Sequence, residues 1–475
     1  MTHPPVRRPR RRHLLTLVSV LALALGTAAG ASAAPDTATS TSSDTRRVAA
    51  PKPKAARPAT VVSLTFDDSL DSQMVGAQAL DMAGIDGTFY AVSSWVDKPG
   101  YLTRADLTSL RARGHEIGGH TKTHRDLAQI PDGEVTRQIC NDRTTLQDWG
   151  FRPTSFAYPF ASTSSAAEAA VTACGYDTGR GLGDVRSPDS CADCPVAESL
   201  PPADPALLAA PDQVDATWSL TDLKKRVTDA RNGGGGWVVL TFHNVCTSPG
   251  SSTCPASQSI RPATLTAFTV WLRLYTLDPR NATSTATVGD AYRASVGSAY
   301  PGYQTASDSP APEPAPIGTN AIVNPGLETT GADGMPDCFD KAGYGTNTPV
   351  WASAPGRTGI AQRITISGYQ DGDAKLLPTM DLGTCSPSVT PGRSYDLGTW
   401  YTATGITQFA LYYRTGAGEW RYWTSSPWFP PAEDWTRATW TTPPVPADGT
   451  AVSFGLALIA DGTVVTDDYS MVDPG

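Results

Sequence analysis

Two adjacent carboxylates, Asp67 and Asp68, end the run Thr65-Phe66-Asp67-Asp68, and two imidazoles, His120 and His124, stand four positions apart farther along the chain. Two imidazoles and one carboxylate form a donor set for a divalent ion with positions left open for water, which suits catalysis better than a closed structural site. The spacing of four predicts both rings on one face of a helical turn; a pair of solvated surface histidines is the alternative reading. His115-Glu116 also precedes His120, but it stands one residue too far for a His-Glu-x-x-His motif, and Gly118 and Gly119 interrupt the helix such a motif needs. A metal-activated water needs a base to take its proton and an acid for the leaving group. Asp67 offers the first, and His243, the only His in the last half of the chain, offers the second.

These residues need elements to hold them. Val61, Val62, Leu64 and Phe66 form an apolar, β-branched run that predicts a buried strand delivering Asp67 and Asp68 at its C-terminal end. Successive side chains on a strand face opposite ways, so one carboxylate can bind a metal while the other stays free. Residues 237–242, entered from Gly233 to Gly236, predict a second buried strand ending at His243. Residues 85–96 read as another strand. Helices are expected over 104–114, 135–149, 220–231 and 265–277, the last closing the domain. Strand and helix alternate, so an α/β barrel or open α/β sheet follows from the pattern, with its chemistry at the strand C-termini.

The motifs Thr65-Phe66-Asp67-Asp68, His120-Thr121-Lys122-Thr123-His124 and Leu240-Thr241-Phe242-His243 resemble, in order and spacing over residues 60–295, the NodB-homology polysaccharide deacetylases of carbohydrate esterase family 4. The resemblance implies a distorted (β/α) barrel with fewer than eight strands. It also implies Asp67 as catalytic base, Asp68, His120 and His124 as metal ligands, and His243 as acid.

One motif departs from the family. Where members usually have Arg-Pro-Pro-Tyr, this chain has Ala157-Tyr158-Pro159-Phe160, so the Arg that orients the base is replaced by Ala157 and the Tyr by Phe160. The backbone N–H of Phe160 could still donate to an oxyanion. Arg180, at an expected strand end, is the candidate to replace the missing guanidinium, because a planar fork suits a carboxylate; a structural Arg is the alternative, and Arg152 is a weaker candidate.

Residues 1–34 carry five Arg, an apolar run from Leu14 to Leu25 and Ala31-Ser32-Ala33, the pattern of an export signal rather than a membrane anchor. Without those five Arg, 32 basic residues face 46 acidic ones, so the charge moves from −9 to −14. That balance opposes nucleic acid and anionic polymers as partners and fits a neutral polysaccharide. No second stretch could span a bilayer, and a secreted monomer is expected. Residues 35–59 read as a disordered tether and 301–318 as a semi-rigid Pro-rich spacer. Residues 184–217, rich in Pro and Asp, read as a long loop by the site entrance.

Eight Cys in an exported chain favour disulfides, although the sequence does not choose among the pairings; Cys140–Cys174, Cys246–Cys254 and Cys338–Cys385 are the expected pairs, with a local Cys191–Cys194 pair as a further option. A zinc site of Cys191, Cys194, Cys246 and Cys254 is the rival. Beyond residue 319, short alternating runs broken by Gly, Pro and Asp predict an all-β sandwich. Its opening, Ile322-Val323-Asn324-Pro325-Gly326-Leu327-Glu328, and its ending, Asp467-Asp468-Tyr469-Ser470, resemble jelly-roll modules of the galactose-binding and carbohydrate-binding type. Trp420, Trp423 and Trp428 are candidate stacking surfaces for sugar rings, with core packing as the alternative. Asp371-Gly372-Asp373 reads as a turn rather than a calcium loop.

The expected protein is therefore a barrel over 60–300 joined to a jelly-roll sandwich over 319–475. It would be a metal-dependent enzyme, with zinc expected and cobalt or another divalent ion as alternatives, removing N-acetyl groups from an N-acetylglucosamine polysaccharide. A non-catalytic glycan-binding protein and an O-acetyl (xylan) esterase are the competing readings.

Overall fold

The structure, a computed structural model, describes residues 59–305, 307–331 and 334–475. The expected export signal and nearly all of the expected tether lie outside them.

Strands and helices alternate through β1 (Thr60–Phe66), α1 (Gln73–Ala83), β2 (Thr88–Ala91), α2 (Arg104–Ala112), β3 (Glu116–Gly119), α3 (Asp132–Asp148), β4 (Ser155–Ala157), α4 (Ser165–Ala173), β5 (Thr178–Arg180), α5 (Leu220–Asn232) and β6 (Gly236–Phe242). A two-residue ladder of β7 (Asn244–Val245) with β8 (Ser259–Ile260) follows, then α6 (Pro262–Leu277), β9 (Thr283–Thr285) and α7 (Val288–Val296). The main sheet runs β5-β4-β3-β2-β1-β6, all parallel, with β9 also on β1. It is a distorted (β/α) barrel. Its open side, between β5 and β6, is bridged by irregular chain: Leu208 N–H donates to Gly179 O and Val214 N–H to Thr241 O at 2.8 Å. Residues 184–217 thus complete the wall rather than only flanking an entrance.

The strands are buried on both faces, so their apolar runs are continuous rather than alternating. Phe66 stacks on Phe89 at 4.7 Å and on Phe242 at 5.3 Å in the core beneath α1, α5 and α6. Helix starts follow local chemistry: Thr103 with Asp106 opens α2 and Ser219 with Asp222 opens α5, each a reciprocal capping box.

Several expectations are corrected. The second strand covers only Thr88–Ala91, and α6 does not close the domain, because β9 returns to pair with β1 and α7 follows. Residues 307–310 are not a free spacer: the backbone of Ser309 exchanges hydrogen bonds with the Asn141 amide, and Arg137 Nε donates to Pro310 O at 3.2 Å. Polar side chains on the outer face of α3 take up the backbone groups that a Pro-rich segment leaves unpaired.

The three expected disulfides and the local Cys191–Cys194 pair are present, so the thiolate zinc site is excluded. The C-terminal part is two antiparallel sheets. One runs in the order β10 (Phe339–Tyr344), β13 (Asp373–Pro378), β18 (Gly449–Leu458), β15 (Thr407–Thr415), β16 (Trp420–Ser425). The other runs β11 (Thr348–Pro355), β12 (Ile360–Ser367), β19 (Gly462–Val472), β14 (Asp396–Ala403), β17 (Ala432–Thr441). Leu376, Phe409, Phe454 and Tyr469 fill the space between them. At Asp371, a side-chain oxygen accepts from the Thr346 N–H, as in a turn.

Candidate metal and acid–base site

Parallel register explains how distant motifs meet. Phe66 is level with Phe242 on the neighbouring strand, so the next residues, Asp67 and His243, leave the sheet side by side. Asp67 N–H donates to Phe242 O at 2.9 Å, and His243 Nε2 stands 4.0 Å from Asp67 Oδ2 and 3.9 Å from Asp68 Oδ2. Asp68 turns the other way because its backbone is left-handed, with φ 77°.

His120 follows β3 directly, but the helical turn expected for His120 to His124 is not there. Thr121 and His124 have φ 70° and 59°, which no α-helical hydrogen-bond ladder accommodates. The segment is a tight loop instead. Thr121 Oγ1 accepts from His124 N–H, Gln138 Oε1 accepts from Thr123 N–H, and Lys122 N–H donates to Gln138 O. The two rings still converge, with His120 Nε2 3.3 Å and His124 Nε2 3.1 Å from the same Asp68 Oδ1. His120 Nδ1 lies 2.7 Å from Ala157 O, a pure acceptor, so Nδ1 carries the proton and Nε2 presents its lone pair. His124 sits between Trp95 at 4.9 Å and Phe160 at 4.7 Å.

The donor atoms of Asp68, His120 and His124 all lie within 4.8 Å of one another, the only such group found among the described residues. Asp68 Oδ1 is buried and finds no partner with hydrogen-bond geometry. Lone pairs facing one another without a proton between them fit a cation. Burial pushes the Asp68 carboxyl up, yet its contacts with His120 and His124 and the charge of His243 outweigh it and hold the group well below the usual carboxylate range. Burial likewise disfavours charge on His120, but Asp68 and Asp67 raise it overall, whereas burial lowers His124.

Arg180, fully buried at the end of β5, donates through Nη2 to Asp67 Oδ2, with its Cζ 5.5 Å over the Tyr90 ring. Arg180 pairs in register with Ala157, so a guanidinium from one strand over reaches the carboxylate. Asp67 Oδ1 and His243 Nδ1 are buried and have no hydrogen-bond partner among the described residues. Phe160 has φ 57° and an exposed ring against His124, and Arg152 lies away from the site, over Tyr303.

Residues 54–179 match the family model described as polysaccharide deacetylase. That segment is similar to the family. A chitin deacetylase of Pestalotiopsis sp is 32% identical over 122 residues, covering 24% of this chain and 39% of that protein. A chitooligosaccharide deacetylase of Sinorhizobium fredii is 31% identical over 91 residues, covering 18% and 40%. The chain thus spans about two fifths of the length of these curated relatives. A family 4 acetyl xylan esterase structure from Clostridium thermocellum aligns at 20% identity with a TM-score of 0.32, over 50% of this chain and 91% of that one.

Sequence reasoning missed Asp142. This fully buried carboxylate in α3 accepts the backbone N–H groups of Ser93 and His120, each at 3.1 Å, and burial raises it to about 6. It ties the start of the His120–His124 loop to the loop after β2. The signal was available: Val135, Ile139, Asp142 and Leu146 lie on one helical stripe, and a carboxylate on a buried stripe needs a purpose.

In the sandwich, Trp428 is 65% exposed with Nε1 donating to Gln408, whereas Trp420 is tied by Nε1 to Asp381 O and Trp423 packs on the core.

Proposed function

We propose that this protein is an exported, metal-dependent deacetylase that hydrolyses N-acetyl groups on an N-acetylglucosamine polysaccharide. The observation carrying this reading is the meeting, at the ends of parallel strands, of a cation-fitting triad with a second carboxylate gripped by Arg180 and flanked by His243. Asp68, His120 and His124 would hold a divalent ion, zinc or cobalt, which supplies Lewis acidity toward an acetyl carbonyl and lowers the pKa of water.

The chain's own groups do the rest. Asp67 accepts the proton of the attacking water, with Arg180 fixing Oδ2 so that Oδ1 is the free acceptor. The Phe160 N–H donates to the developing oxyanion. His243 Nε2 delivers a proton to the nitrogen as the C–N bond breaks, leaving acetate and a free amine. Burial of these groups keeps competing water out and strengthens each charge interaction.

The sandwich is assigned to glycan capture through two exposed rings, Trp428 beside the Gln408 amide and Tyr422 against Tyr412. Export is supported by the four disulfides. Among the described residues no helix is long and apolar enough to cross a membrane.

The test is product analysis on a panel of N-acetylated and O-acetylated glycans. The reading expects acetate and free amines from chitin-type oligomers, abolished by chelator and restored by Zn2+ or Co2+. Acetate from O-acetylated xylan alone would reassign it as an esterase.

A further inference from the structure

The loop that presents His124 is short and left-handed at two positions, and such conformations persist only where the surroundings over-determine them. From inside the barrel, the supports are Gln138 and Asp142 on α3. From outside, they come from the sandwich. Arg125, the residue after His124, faces Asp340 of β10 at 3.6 Å. Lys98, three residues past the Trp95 that packs on His124, pairs with Glu419 at 3.2 Å. Between these contacts lies Lys122, in the middle of the His120-to-His124 loop, whose stem is covered by the tip of the β15–β16 hairpin. There Gly418 has φ +87°, and a Cβ on it would sit 3.3 Å from Lys122 Cε. Lys122 Nζ continues inward to Thr145 Oγ1 at 2.8 Å.

The two parts are fastened further along α3. Glu134 Oε1 accepts the Leu382 N–H at 2.8 Å, and Arg137 Nη1 donates to Thr384 Oγ1 at 2.6 Å. The sandwich therefore grips the middle and the C-terminal flank of this loop and the Trp95–Lys98 segment packed on it, and among the described residues no hydrogen bond or ion pair joins it to the three ligands.

We propose that the sandwich braces the metal loop, with Asp340, Gly418 and Glu419 as positioning residues that hold His124 in ligand geometry. This rests on the reading of Asp68, His120 and His124 as a cation site. If the brace is loosened, a smaller fraction of molecules presents all three donors together, and apparent metal affinity falls by that fraction.

The experiment is calorimetric titration of Co2+ into the full chain freed of metal, with the d–d absorption of the bound ion recorded in parallel. The Asp340→Asn/Glu419→Gln double variant is expected to bind Co2+ about three- to tenfold more weakly, with an altered d–d spectrum, because the ion pairs Arg125–Asp340 and Lys98–Glu419 that join the two parts are lost, together with Arg421–Glu419 within the sandwich. Gly418→Val, which strains the hairpin and crowds Lys122, is expected to lose more. A control, Glu433→Gln/Asp434→Asn, removes the same charge from exposed positions of β17 and should match the wild type. Affinity and spectrum equal to this control in the double variant would overturn the brace. A wild type that binds no Co2+ at all would instead overturn the metal-site reading beneath it.

Discussion

The barrel and the sandwich both bury charge, and they handle it in opposite ways. In the sandwich each buried carboxylate is satisfied within its own neighbourhood. Asp381 accepts the N–H groups of Gly383, Cys385 and Ser386, Asp373 pairs with Lys375 two residues on, and Asp467 accepts the N–H of the next residue, Asp468, beside that of Arg357 from a distant loop. In the barrel, Asp67, Asp68, His120, Arg180 and His243 come from four separate strand ends, face one another, and leave buried oxygen and nitrogen atoms without hydrogen bonds. Locally satisfied charge shapes loops. Charge gathered from distant segments with atoms left over costs stability and is kept for chemistry.

Breaking the Arg180–Asp67 contact tests that contrast most severely. Arg180→Ala leaves a buried carboxylate without its partner, so a loss of about 3–5 kcal/mol in stability is expected alongside a fall of about a hundredfold in kcat. Chemical denaturation and steady-state kinetics check both. A variant as stable as the wild type would mean that the barrel's charge is no more strained than the sandwich's.

Glu134 sits where the two regions meet and sharpens the comparison. Burial, then Asp381, raises its carboxyl to about 7 against the hydrogen bonds of Gln138 and Leu382 and the charge of Arg137. The folded state therefore keeps a proton that the unfolded state has lost, so stability is greatest at acid pH and declines as pH rises through the window from 4.5 to about 7. Glu134→Gln removes that decline, and its unfolding free energy should gain on that of the wild type progressively across the window, by an amount on the order of 3 kcal/mol at most. Parallel pH profiles for the two proteins would contradict this.

The smallest effect is expected at the sandwich surface. Trp428→Ala should weaken retention on insoluble chitin by about three- to tenfold, the loss of one stacking face, and leave acetate release from short soluble oligomers unchanged. Pull-down isotherms and oligomer kinetics separate the two.

The sequence made the contiguous motifs of the site legible because each sits where a buried strand ends, and a β-branched run such as Val61 to Phe66 announces that strand. The geometry of the His120 loop was not legible, since a spacing of four reads as helix unless the left-handed turns at Thr121 and His124 are known. Arg180 could be named only as a candidate, because the register that sets it beside Ala157 is a property of the sheet. β9 and the bridge through Leu208 and Val214 escaped notice for a related reason: their residues carry no periodic pattern, and tertiary hydrogen bonds alone define them. The sandwich aromatics show the limit of composition, which gives Trp420, Trp423 and Trp428 equal standing until burial separates them.

The most direct test of the central claim compares acetate release from N-acetylglucosamine oligomers by the wild type and Asp67→Asn, with bound Zn2+ or Co2+ quantified in both. The arrangement requires equal metal content and a rate reduced by about a hundredfold or more in the variant, because the ligands are intact and only the base is lost. Equal rates at equal metal content would show that Asp67 takes no proton, and would contradict the assignment of the site.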